Sequence, residues 1–322
     1  MRYTTLGNTG LRVSVAGLGC GGFSRLGLPA GKTEDQAADL VLEAVDLGIN
    51  FLDTAPAYGT EATVGKALKK LSRDKVVVAT KVHVLRNGEW YSADRVTQSI
   101  DNSLKVLGTD YIDVFQLHGV GVGEYDHAVN VVLPALLAAK VKGKIRHLGI
   151  TEAPTEDFKH EMLTRAANEG VWEVFMVAFH MMHQSARQKL FPLILEKKIG
   201  TLLMFAVRSI FAKNERVVAA LKQAAVDGKI SKEIANNPEP LGFLLHRDGG
   251  ASSITEAAYR FAMHEPGVDV VLFGTGDRDH LHANVKSLLM PPLPAADTAK
   301  LAALFGTLID VGMDSAPMQQ KK

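Results

Sequence analysis

One cysteine, Cys20, is present in 322 residues, so no disulfide can form within the chain. That fits a reducing compartment, and a cytoplasmic location is expected. An excess of charge of one sign is also missing: 36 Lys+Arg face 35 Asp+Glu, a net charge of +1. The balance removes the long-range attraction by which a protein holds nucleic acid or an anionic membrane, and neither partner is expected. No apolar run reaches the length of about 18 residues that a membrane helix needs. The opening residues, Met1-Arg-Tyr-Thr-Thr, lack the basic-then-apolar order of a signal peptide. Internal repeats and low-complexity tracts are absent as well. What is there is ordinary globular usage, 47% hydrophobic and 22% charged, enough for a sizeable core.

The organising pattern is short β-rich runs alternating with helical segments. The runs fall at Val13–Gly17, Asn50–Asp53, Val76–Val82, Tyr111–Leu117, Ile145–Ile150, Glu173–Val177, Gly200–Phe205 and Val268–Phe273. Several are almost wholly apolar, as parallel strands covered on both faces must be. Capping signals open the stretches between them: Thr33-Glu-Asp-Gln, Ser92-Ala-Asp-Arg and Thr155-Glu-Asp-Phe. Eight such units are the count of a closed (β/α)8 barrel, whereas an open doubly wound sheet usually has five or six strands. The whole chain, 1–322, is expected to form a single domain. Tyr3–Gly7 and Leu11–Ser14, around Asn8-Thr-Gly, read as a hairpin that closes the barrel floor. The last strand follows a gap about double the others, so an insertion is expected over about 209–250. Leaving a strand's carboxyl end, it is placed to cover a cofactor. Ala295–Gly312 reads as a final helix, and Asp314–Lys322 as a frayed end.

Four polar residues fall at or just beyond strand ends: Asp53 after Phe51-Leu52, Tyr58 five residues on, Lys81 in Ala79-Thr-Lys, and His118 in Phe115-Gln-Leu-His. Strands two, three and four of a barrel are neighbours, so these groups converge over one rim. A free tyrosine has a pKa of about 10, too high for efficient proton exchange at neutral pH. An adjacent lysine ammonium is expected to lower it, and the Asp53 carboxylate to keep that lysine charged. His118 can orient a substrate oxygen. Singly, each has a plainer reading as a structural ion pair or an edge hydrogen bond. Four compatible types on adjacent strand ends favour a site. The set has no strong nucleophile and no metal ligands, and it suits hydride transfer from a bound cofactor.

In their flanking motifs these residues resemble the aldo-keto reductase superfamily. Phe51-Leu-Asp-Thr-Ala-Pro-Ala-Tyr-Gly is similar to its FxDTAxxYG segment. Leu104-Lys-Val-Leu-Gly-Thr-Asp-Tyr-Ile-Asp-Val-Phe-Gln-Leu-His is similar to LxxLxxDYxDLxxxH, and Lys142-Gly-Lys-Ile-Arg-His-Leu-Gly-Ile to GKIRxxGxS. The resemblance implies a (β/α)8 TIM barrel and NAD(P)-dependent interconversion of carbonyls and alcohols. It assigns Tyr58 as general acid/base, Lys81 and Asp53 as its tuning pair, and His118 as the carbonyl-orienting group.

It also implies a cofactor path. This runs along Gly19, Cys20, Gly21 and Asp53, then Thr151, Glu152 and Met176, then Phe205, Ala206, Val207 and Arg208. It ends at Phe273, Gly274, Thr275, Gly276, Arg278, His280 and Asn284. Thr151-Glu152 replaces the family's usual Ser-Asn at the carboxamide, so a charge is expected near the ring. Met176 replaces a usual Gln, and Ala206-Val-Arg-Ser replaces Ser-Pro-Leu-Gly. Phe205 suits the ring-stacking aromatic, and Arg208 could meet the pyrophosphate. Basic residues in the last loop favour NADP(H), with NAD(H) as the alternative. Phe23 and Trp90, together with Tyr58 and His118, are candidate substrate contacts for a small carbonyl or alcohol.

Other features are weighed against this reading. Gly17-Leu-Gly-Cys-Gly-Gly22 satisfies GxGxxG, but a Rossmann turn needs a helix at once, and Phe23–Lys32 is irregular with Pro29. His180-Met-Met-His183 has metal-ligand spacing only if helical, and no third ligand is evident, so no metal is expected. His246, His264 and His282 read as surface residues or caps. Two alternative functions remain: a non-catalytic nucleotide-sensing subunit on the same barrel, and a barrel isomerase or lyase using Lys81 as Schiff base.

Overall fold

In a computed structural model, residues 1–313 are described. The first strands are β1 (Tyr3–Thr5) and β2 (Arg12–Ser14), paired antiparallel with Tyr3 opposite Ser14. The barrel strands are β3 (Ala16–Gly19), β4 (Phe51–Asp53), β5 (Val77–His83), β8 (Ile112–Val120), β9 (Ile145–Glu152), β10 (Val174–Ala178), β11 (Gly200–Met204) and β12 (Val270–Phe273). A small hairpin, β6 (Leu85–Arg86) with β7 (Glu89–Trp90), extends β5 beyond the rim. The eight barrel strands close in the order β3-β4-β5-β8-β9-β10-β11-β12, each pair parallel. The expected (β/α)8 barrel is what the chain forms.

Alternation along the strands sorts their side chains into two cores. Phe51, Val77, Ala79, Val114, Val174, Met176, Leu202 and Val270 meet inside the barrel, joined there by Leu6, Leu11 and Val13 of the N-terminal hairpin. Leu18, Leu52, Val78, Phe115, Leu117 and Val177 face outward and pack on the helices. The hairpin closes the floor closely. Gly7, at φ +50, approaches Gly200 so tightly that an added Cβ would lie 2.1 Å from its nitrogen. Gly7 N also donates to Asp269 Oδ2 at 3.0 Å.

The first strand is shifted from its expected place. Val13–Ser14 belong to β2, Val15 breaks the run, and the barrel strand starts at Ala16. The helices that follow the strands start as their caps dictate. Thr33 and Gln36 form a reciprocal capping box on the helix Glu34–Asp46, and Ser92 caps Ala93–Leu107. Beyond β11 the chain runs through short helices and Asn214–Val226 before Ile254–Met263 leads to β12. The final helix spans Ala295–Phe305, ending earlier than expected because Gly306 caps it. The expected frayed end, Asp314–Lys322, lies outside the described residues.

Candidate active site

β4, β5 and β8 are consecutive in the barrel, and their inward alternation carries Asp53, Lys81 and His118 to one side of its carboxyl end. Lys81 Nζ donates to Asp53 Oδ1 and Oδ2 at 2.6 and 2.7 Å and to the Thr54 carbonyl at 3.0 Å. Both side chains are buried. Tyr58 closes a 3₁₀ turn, Pro56–Tyr58, whose proline fixes the entry and whose left-handed Gly59 ends it. The Tyr58 ring lies 4.9 Å from Lys81 Nζ, and its hydroxyl oxygen is 3.2 Å from His118 Nε2. Gly21 of the first loop leaves room for that ring, since a Cβ there would fall 2.5 Å from it. The four expected residues are brought together.

Their electrostatics differ from expectation at one point. Burial pulls the Lys81 ammonium down, but the Asp53 carboxylate and the Tyr58 hydroxyl carry it above its ordinary value. Burial pushes Asp53 up against the opposing pull of Lys81 and Gln116. The Tyr58 phenol was expected to fall. Burial instead raises it, with Lys81 pulling the other way. A dry site penalises the phenolate more than one already paired ammonium relieves it. His118 is held well below its usual range by burial and by nearby Lys81, His83 and Arg86, so its ring is neutral.

The same alternation brings in residues that the sequence reading passed over. Gln116, two before His118, donates from Nε2 to Asp53 Oδ1 at 3.3 Å. His83, two after Lys81, stacks on His118 with ring centres 4.4 Å apart and planes 17° apart. Opposite this polar arc, Met204 and Leu272 join Met176 on an apolar side. The period of two that placed Lys81 and His118 would have found all of these.

The cofactor candidates lie on the strand ends and loops of the same rim, several of them already engaged. Gly19 and Phe273 approach across β3 and β12, where a Cβ on Gly19 would lie 3.4 Å from the Phe273 carbonyl. Cys20 is buried and its thiol pushed far up, which removes it as a nucleophile. Thr151 Oγ1 accepts from Gly119 N at 2.6 Å. Glu152 does not present a free charge to the rim. Its Oε1 accepts from Ala178 N at 2.7 Å and its Oε2 meets His160 Nδ1 at 2.7 Å, all buried. Arg208 stacks on the Phe205 ring at 3.8 Å and donates to the Gly312 carbonyl. Ala206 is buried and Val207 half-buried.

In the last loop, Gly274 packs against Ser24 and Gly276 against Gly27. Thr275 Oγ1 closes a turn onto Asp277. Arg278, expected near a 2′-phosphate, pairs with Glu43, which also takes His282 at 2.8 Å. His280 is exposed and Asn284 half-buried on the following helix, Arg278–Leu289. Phe23 and Trp90 are exposed, Trp90 lying 4.7 Å from the His127 ring.

A model of the Aldo/keto reductase family matches residues 17–305. The chain belongs to the aldo-keto reductase family. It is 39% identical over 203 residues to L-galactose dehydrogenase of Arabidopsis thaliana, covering 61% of this chain and 62% of that protein. It is 30% identical over 213 residues to the NADH-specific methylglyoxal reductase of Escherichia coli, covering 60% and 63%. Each alignment thus spans less than two thirds of the relative. The holo form of aldo-keto reductase AKR11C1 from Bacillus halodurans shares the fold at a TM-score of 0.71 and 24% identity, over 100% of this chain and 99% of that one.

His180 and His183 form a tight turn rather than a helix, bridged backbone to backbone. Among the described residues no group of three His, Cys, Asp or Glu side chains is arranged for a metal. His264 Nε2 donates to the Met290 carbonyl, and His246 pairs with Asp297.

Proposed function

We propose that this aldo-keto reductase interconverts a carbonyl and an alcohol by hydride transfer, with Tyr58 exchanging the proton of the reacting oxygen. The observation that carries the reading is the Asp53–Lys81–Tyr58–His118 arrangement at the barrel mouth. All four groups handle protons or charge and none can supply two electrons. A nicotinamide supplies the hydride when bound. The rim suits such a group: an apolar side of Met176, Met204 and Leu272 faces the polar arc, and Gly274 leaves backbone exposed.

In the reductive direction, His118, neutral, donates a hydrogen bond that fixes the carbonyl oxygen. Tyr58, protonated, gives its hydrogen to that oxygen as negative charge develops there. Lys81 stabilises the phenolate left behind, and Asp53 holds Lys81 charged and in place. The reverse sequence oxidises an alcohol, with Tyr58 as base. Asp53, Thr151, Met176, Phe205 to Arg208 and Phe273 to Gly276 would hold the dinucleotide, with His280 and Asn284 at its far end. Glu152 would act from behind, by fixing the β9 and β10 ends.

The NADP(H) preference inferred from basic residues is weakened by the Glu43 contacts, because a 2′-phosphate would compete with that carboxylate for Arg278. The NADH-specific relative from Escherichia coli agrees with an unphosphorylated ribose. The likeness to L-galactose dehydrogenase supports a hydroxylated substrate. A reduction run with dinucleotide carrying deuterium at both C4 positions tests the reaction. We expect one deuterium on the carbinol carbon of the product and the hydroxyl hydrogen drawn from solvent. A product without that deuterium would remove the hydride step.

A further inference from the structure

His83 stands beside the reacting groups with one ring nitrogen committed and the other open. It follows Lys81 by two on β5, so it shares that residue's inward direction at the very end of the strand. Its Nδ1 lies 3.2 Å from the His118 carbonyl oxygen. A carbonyl only accepts, so Nδ1 carries the hydrogen. Burial and the nearby Arg86 guanidinium hold the His83 ring below its ordinary pKa, and it is neutral. A neutral imidazole with hydrogen on Nδ1 has a lone pair on Nε2. That Nε2 has no protein partner among the described residues and is not among their buried polar atoms lacking one. It is therefore an acceptor without a protein partner among the described residues, in a ring stacked 4.4 Å from the His118 ring.

We propose that His83 Nε2 accepts a hydrogen bond from a hydroxyl on the carbon next to the reacting carbonyl, selecting α-hydroxy carbonyl compounds over simple aldehydes. The proposal rests on the reductase reading above, which puts the carbonyl oxygen between Tyr58 and His118. The His83 ring stacks directly on the His118 ring that meets this oxygen, which makes it the neighbour of the carbon next to the carbonyl. A substrate with hydrogen or methyl at that carbon leaves the acceptor unpaired once the mouth is filled, whereas a hydroxyl satisfies it. Parallel stacking also makes His83 a support for the His118 ring, and that second role must be kept apart in any test.

Glycolaldehyde and propanal, nearly equal in size and differing in the hydroxyl, make the comparison. The wild type is expected to favour glycolaldehyde in kcat/KM by about tenfold, the scale of one hydrogen bond in a half-open site. His83→Phe keeps an aromatic ring against His118 and removes the acceptor. It should abolish the preference, with kcat/KM falling about tenfold further for glycolaldehyde than for propanal. His83→Gln, whose amide oxygen accepts, should restore part of the preference. Equal loss on both aldehydes in His83→Phe, or no preference in the wild type, would overturn the assignment and leave the reductase reading intact. Failure of the wild type to reduce either aldehyde, with dinucleotide binding shown by fluorescence quenching, would overturn both.

Discussion

In the proposed mechanism the Tyr58 hydroxyl is the group on which the chemistry turns, and its surroundings predict a particular pH dependence. Burial raises its pKa and Lys81 only partly offsets this. The form that gives a proton therefore persists through neutral pH and up to at least the ordinary tyrosine value of about 10. His118 is neutral over the same range, its pKa being depressed. Carbonyl reduction, measured as kcat between about pH 6 and 9, should be level and fall only at higher pH. A fall centred near neutrality would mean that Lys81 outweighs burial. Most of this site was legible in the residues themselves, because Asp53, Lys81 and His118 lie near the carboxyl ends of runs whose alternation fixes their direction, although β5 and β8 each continue two residues further, to His83 and Val120. The sign of the Tyr58 shift was not legible: it depends on how much water the neighbouring loops exclude, including Gly21 against the ring.

Among the elements, the junction of β9 and β10 shows how a strand end is secured. Glu173, just before β10, accepts from His147 Nδ1 at 2.7 Å, from Leu148 N at 3.0 Å and from Lys140. Burial opposes ionisation, but these partners together hold its carboxyl at about 2, below its ordinary 4.5. A depressed carboxylate contributes stability that is complete above the ordinary value and drains away as pH falls toward the folded one. Glu173→Gln should therefore cost about 2 kcal/mol at pH 7, allowing for solvent screening, and clearly less at pH 3. Urea denaturation at the two pH values checks this, and an equal cost at both would show that the charge is not what matters. The strands were legible wherever apolar runs were bounded by turns. β3 was misplaced because Val13–Ser14 and Ala16–Gly19 form nearly one β-rich run, and only the plugging of the floor by Leu6, Leu11 and Val13 divides it.

At the scale of the whole molecule, closure of the barrel brings together residues that no local pattern connects. Glu43 and Arg278 are 235 positions apart, and their pairing across the β3 and β12 sides could not be read from either segment. In this account it tips the site toward an unphosphorylated dinucleotide. Glu43→Gln should free Arg278 and tighten NADPH relative to NADH by about three- to tenfold, as read from dissociation constants by fluorescence titration. An unchanged ratio would separate Arg278 from cofactor choice.

The most direct test of the central claim is single-turnover reduction by Tyr58→Phe, loaded with dinucleotide at the wild-type affinity. Loss of the hydroxyl should slow the chemical step at least a hundredfold while leaving the Asp53–Lys81 pair and cofactor binding in place. A rate within a few fold of the wild type would contradict the assignment of Tyr58 as proton donor.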